Sequence, residues 1–157
     1  MAVDSAVREQ LAAVLTWQDA HATFDRAIEG IPVEARGKRP AGLPYSAWQL
    51  LEHMRVAQRD ILEFCRNPDY EELNWPDDYW PHSHEPPDER AWEESIRQFH
   101  EDLAAVQQLT RETPDLMAKI PHGNGQTYLR EVLLVADHNA YHVGELVLLR
   151  RLLGSWR

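Results

Sequence analysis

Only one cysteine occurs in the chain, Cys65, so no intrachain disulfide is available and a reducing compartment suits the sequence. Nothing around Cys65 marks an activated nucleophile, and it is expected to be a buried small hydrophobe. Long apolar runs are missing as well. None approaches the roughly 18 residues that suggest a membrane span, so no membrane partner is expected. The opening Met-Ala-Val-Asp-Ser has no basic stretch followed by an apolar one, which leaves no export signal to read and makes a cytoplasmic location the expectation. Positive charge is scarce: 16 Lys and Arg face 26 Asp and Glu, a formal charge of −10. A nucleic acid is therefore not an expected partner, because phosphate binding rests on a basic surface. Internal repeats, low-complexity segments and convincing strand patterns are absent too.

What remains is a chain of 157 residues, 43% of them apolar, enough for one domain with a substantial core. Its apolar residues recur with helical spacing. A first segment runs from about residue 4 to 29, with Val7, Leu11, Val14, Leu15, Trp17, Phe24 and Ile28 as its apolar members. Asp4 or Ser5 is its candidate cap, and Gly30 and Pro32 its stop. His21 lies near that stripe and reads as a partly buried histidine with a satisfied hydrogen bond. In the Gly- and Pro-rich connection that follows, Arg36, Lys38 and Arg39 read as a solvated cluster.

The second helix is expected over 46–66. Ser46 followed by Gln49 is a capping-box pattern, and Leu50, Met54, Ala57, Ile61 and Phe64 form a core stripe. The third is expected over 88–112, capped near Asp88, with a seam of Trp92, Ile96, Phe99, Leu103, Val106 and Thr110 and with Glu93, Glu94, Arg97, Glu101 and Asp102 on its other faces. The fourth runs over 126–153 and ends at Gly154. Four amphipathic helices predict an all-α fold, a four-helix bundle with a long crossover connection between helices two and three. A connection as long as 67–87 is uncommon unless it covers or binds something. It is too aromatic for a solvated linker, so Trp75, Tyr79 and Trp80 are expected to pack on the helices, and its length frees helices two and three from being antiparallel neighbours.

Within the fourth segment lies Asp137-His138-Asn139-Ala140-Tyr141-His142-Val143-Gly144-Glu145-Leu146. His138 and His142 stand one turn apart on a helix face that also carries Leu134, Val135 and Leu149. Such a pair reads equally well as two hydrogen-bonded core histidines and as two thirds of a metal site. His53, at the edge of the second helix's core stripe, is the candidate third ligand. Three neutral imidazoles suit zinc, nickel, iron or copper, and three protein ligands leave a coordination position open, as catalytic sites do. Two familiar motifs fail: Asn139 stands where a zincin needs glutamate, and the Glu-x-x-His pairs of di-iron bundles are missing. His82 and His84 in the crossover are a weaker metal signal, with His84 able to reach a pocket. Glu145, three residues past His142, can lean on the same face. Asp60 and Glu131, each seven residues from a candidate ligand, fit as pocket walls or as contacts across to another helix, and Tyr141 either faces the pocket or packs.

The helix-two stretch Ser46-Ala47-Trp48-Gln49-Leu50-Leu51-Glu52-His53-Met54, taken with residues 137–146, resembles the DinB/YfiT-like superfamily of four-helix metalloproteins. The family pattern is one histidine on helix two and then His-x-x-x-His, usually followed by Arg-Gly-Gln and an aliphatic residue. This chain departs from it at Val143 and Glu145, neither of them a ligand. The resemblance implies that His53, His138 and His142 hold one divalent metal, usually nickel or zinc. It implies a metal-dependent transferase acting on a small-molecule substrate with a low-molecular-weight thiol such as bacillithiol, mycothiol or glutathione, in a family whose members are often homodimers. A metal-dependent hydrolase with Glu145 or a loop histidine as catalytic proton acceptor is the alternative, as is a non-catalytic metal- or small-molecule-binding stress protein.

Overall fold

The computed structural model describes residues 2–156; Met1 and Arg157, the ends of the expected domain, lie outside the described residues. The structure is all-helical, with α1 at Ala2–Val14, α2 at Phe24–Ile28, α3 at Ala47–Arg66, α4 at Glu89–Glu112 and α5 at Tyr128–Leu152. Short 3-10 turns occupy Val33–Ala35 and Asp77–Tyr79.

The expected first helix is in fact two. α1 already begins at Ala2, so Asp4 sits inside its first turn and pairs with Arg8 instead of capping the start. Residues 15–23 are not helical, and α2 restarts at Thr23, an extended residue whose hydroxyl accepts the Arg26 N–H. No glycine or proline marks the break. Tertiary packing makes it: Phe24 stacks on Phe99 at 3.8 Å between ring centroids, and the buried Arg150 donates to the carbonyls of Arg26 and Ala27 at the end of α2. His21 lies in the break, exposed rather than partly buried, with its Nδ1 on the Ala22 carbonyl.

α3 starts as expected. The Ser46 hydroxyl accepts from Gln49 N–H, the Gln49 side chain accepts from Ser46 N–H, and both residues are buried. Arg36 is buried rather than solvated; it forms an ion pair with Glu89 and lies over the Trp92 ring. Asp102, read as outward-facing, is buried against Arg59.

Partners between helices give the topology. Glu52 meets Ser95, Arg55 meets Gln98 and Arg59 meets Asp102, so α3 and α4 advance together and are parallel neighbours. Arg8 reaches the carbonyls of Thr110 and Thr113 while Gln107 reaches that of Ala12, so α1 is antiparallel to α4. His53 meets His142 while Gln58, further along α3, accepts from Asn139, earlier on α5, so α5 is antiparallel to α3. Parallel neighbours require the chain to return the length of the bundle, which is what residues 67–88 do. Leu50, Leu51, Met54, Leu62, Phe99, Val132, Val135, Leu146 and Leu149 are fully enclosed between the helices. No helix is long and apolar enough to cross a membrane among the described residues.

The crossover is fastened near its end. Ser46 Oγ–H donates to the His84 carbonyl, and a Cβ at Gly37 would fall 2.6 Å from that of Glu85, so only glycine admits this close approach. Replacing Ser46 by alanine removes both the α3 cap and this tie. We expect a loss of about 1–2 kcal/mol in urea or thermal unfolding, with helical content retained below the transition.

Candidate metal centre

α3 and α5 run side by side, and the histidines on their facing sides meet. One ring nitrogen from each of His53, His138 and His142 lies within 4.8 Å of the others. No other group of histidine, cysteine and carboxylate ligands with this compactness occurs among the described residues. His53 is 2% exposed and His142 6%. His53 sits on a buried stripe of α3 with Leu50, Met54 and Ala57, and His142 on one of α5 with Val135, Leu146 and Leu149.

Hydrogen bonds identify the tautomers. His53 Nδ1 lies 3.1 Å from the Tyr79 carbonyl, which can only accept, so Nδ1 carries the proton and Nε2 the lone pair. His142 Nδ1 lies 2.7 Å from Glu145 Oε2, and the same logic leaves its Nε2 as a lone pair. His138 Nε2 is 3.0 Å from His53 Nε2, while its own Nδ1 is buried without a partner. A proton on His138 Nε2 leaves Nδ1 as an unmatched acceptor; a proton on Nδ1 leaves two lone pairs face to face. Neither tautomer satisfies all the nitrogens. A cation that accepts one lone pair from each ring removes that clash, and the donor set fits a divalent transition metal.

Electrostatics keep the three rings uncharged. Burial, opposed by the Tyr79 carbonyl and helped by His142, pulls the His53 pKa down to about 4. Burial, then His142 and His53, takes that of His138 to about 3. Burial lowers that of His142 too, against the pull of Glu145. All three rings are therefore neutral at pH 7, the form that binds metal.

The crossover closes over His53. Trp80 stacks flat on its ring, at 3.8 Å and 4°, and is itself backed by Tyr45 at 4.1 Å. Trp75 presents an edge at 6.3 Å and stays 69% exposed, so of the three aromatics expected to pack it does so least. His82 and His84 are exposed and stand outside the triad; His84 takes part only through its carbonyl. Tyr141 is 65% exposed and sets its ring edge-on to that of His142, at 4.9 Å between centroids, on the outer side of the triad; the Glu145 carboxylate is turned to His142. Asp60 and Glu131 line a cleft of about 410 Å³ between α3, α5 and the crossover, with Tyr70, Tyr79 and His122. Glu131 is buried beside Arg130, and Asp60 accepts from two tyrosine hydroxyls. Sequence reasoning missed the Tyr79 carbonyl, because a backbone acceptor leaves no trace in residue type.

Among known proteins, no curated protein and no solved structure gives a significant match to the chain. The family model described as the DinB superfamily matches residues 16–146, which include all three histidines and the crossover. With that match over most of its length and a compact histidine triad between α3 and α5, the chain belongs to the DinB superfamily.

Proposed function

We propose that this protein binds one divalent metal, nickel or zinc, through His53, His138 and His142, and works as a thiol-dependent transferase on a small-molecule substrate. The observation that carries the reading is the outer bonding of the rings. Nδ1 of His53 and of His142 is taken by an acceptor, which turns two Nε2 lone pairs toward the third imidazole. Three protein nitrogens leave room for an exogenous ligand. When bound, such an ion supplies the positive charge that keeps a thiol as its nucleophilic thiolate at neutral pH.

The chain's own residues orient and shield. Tyr79 and Glu145 hold two rings in their ligating tautomers, and Trp80 excludes water from one face of His53. Cys65 offers no competing thiolate: it is buried, and burial pushes its pKa up to about 12. The thiol therefore comes with a cosubstrate. Hydrolysis fits less well, because it needs a proton acceptor at the centre and the Glu145 carboxylate is committed to His142.

Protein purified without a His-tag and stripped of metal is expected to take up one equivalent of Ni²⁺ or Zn²⁺ per chain. Metal at about 100 times its Kd should stabilise the fold by about 2.7 kcal/mol. His138→Gln should abolish stoichiometric uptake, whereas Glu145→Ala should weaken it by roughly 10–100-fold. Uptake below about a tenth of an equivalent, with no rise in Tm, contradicts the metal reading.

Thiol dependence has its own test. Titrating glutathione into the Ni²⁺-loaded protein should produce a thiolate-to-metal charge-transfer band and raise Tm. A spectrum and Tm that both stay unchanged over a range of low-molecular-weight thiols contradict the transferase reading while leaving the metal site intact.

A further inference from the structure

We infer that Asp60 is a latch: it pins the crossover to α3 so that Tyr79 and Trp80 hold His53 in the orientation needed to ligate. This inference rests on the metal reading above, and concerns a carboxylate that touches none of the three histidines.

Two hydroxyls from separate points of the crossover converge on this one side chain. Tyr70 Oη–H donates to Asp60 Oδ1 at 2.9 Å, and Tyr79 Oη–H donates to Oδ2 at 2.6 Å. Charge-assisted bonds of this kind are stronger than bonds between neutral groups. Burial and the adjacent carboxylate also hold both phenols protonated, above the ordinary tyrosine range, so the donors persist at neutral pH.

Tyr79 is fixed at both ends to the same helix. Its hydroxyl sits on Asp60 and its carbonyl on His53, seven residues or roughly 10 Å earlier along α3. The residue is a strut lying along the helix. Trp80 follows directly and covers the His53 ring, with Tyr45 behind it. With the hydroxyl end released, Tyr79 keeps only one neutral bond to α3, and the next tie of the crossover to that helix is the long bond that Gln49 Nε2–H donates to the Pro81 carbonyl at 3.4 Å. The His53 ring then loses its fixed acceptor and its flat cover together. A ligating imidazole that loses its outer partner binds metal roughly 10–100-fold more weakly.

Chelator competition with Ni²⁺ or Zn²⁺ on the full chain tests the latch. Asp60→Ala is expected to lower metal affinity by roughly 10–100-fold and to alter the d–d spectrum of the Co²⁺-loaded protein. Tyr79→Phe should do the same, and Asp60→Asn, which keeps one carbonyl acceptor, should recover part of the loss. In the metal-free protein, amide hydrogen exchange over 74–81 should accelerate in Asp60→Ala. Asp102→Asn is the control. It breaks the buried pair with Arg59 between α3 and α4, so it destabilises the bundle away from the triad and should leave metal affinity and exchange over 74–81 as in the wild type. Asp60→Ala with unchanged affinity and spectrum, beside a wild type that loads normally, overturns the latch alone. Equal loss of affinity in Asp102→Asn also overturns it, by showing general destabilisation. A wild type that takes up no metal overturns the metal reading and this inference together.

Discussion

Three imidazoles set close together between two helices, two of them buried and the third half-buried, are an expensive thing to build into a helix bundle. Each could be satisfied separately by a carbonyl or a hydroxyl. Instead, two are held by their Nδ1 protons so that Nε2 faces inward, and the third has no arrangement of its proton that pairs both nitrogens. Buried polar groups without partners cost roughly 1–3 kcal/mol each. Much of the surrounding structure serves to maintain this arrangement. Glu145 on the next turn holds His142, the crossover carbonyl holds His53, and the stacked Trp80 and Tyr45 keep the His53 ring flat against the bundle.

Topology and site are connected through the crossover. Because α3 and α4 are parallel neighbours, the chain must travel back along the bundle between them, and it does so over the end of α3 that carries His53. A plain up-and-down bundle would join these helices by a short turn at the opposite end, with no backbone available to accept from His53. The same segment gives Tyr70 and Tyr79 to Asp60 and His84 to Ser46, so cover and fold are stabilised by shared bonds. The DinB superfamily match spans this whole unit, from within the α1–α2 break to the end of the histidine motif.

Much of this was legible in the sequence, for physical reasons that can be named. The capping box at Ser46 and Gln49 and the cap at Asp88 are local chemistry, and they recur in the structure. His138 and His142 were visible because helical spacing puts them on one face, and His53 because it borders a core stripe. The break at 15–23 was not legible: the apolar period runs through it without glycine or proline, and long-range packing of Phe24 on Phe99 decides the outcome. Arg36 and Asp102 were misread because charge suggests solvent, whereas each is buried against an opposite charge. The histidines of the crossover drew attention as candidate ligands, yet the atom that reaches the triad is a tyrosine carbonyl, to which a side-chain motif is blind.

The central claim is that the three histidine rings together ligate one metal ion. X-ray absorption spectroscopy of the untagged protein loaded with one equivalent of Zn²⁺ tests it most directly, because imidazole multiple scattering counts the histidines bound. The account predicts three imidazole nitrogens at about 2.0–2.1 Å, with the pattern lost in His53→Gln. A first coordination sphere of oxygen atoms, or one imidazole at most, would contradict it.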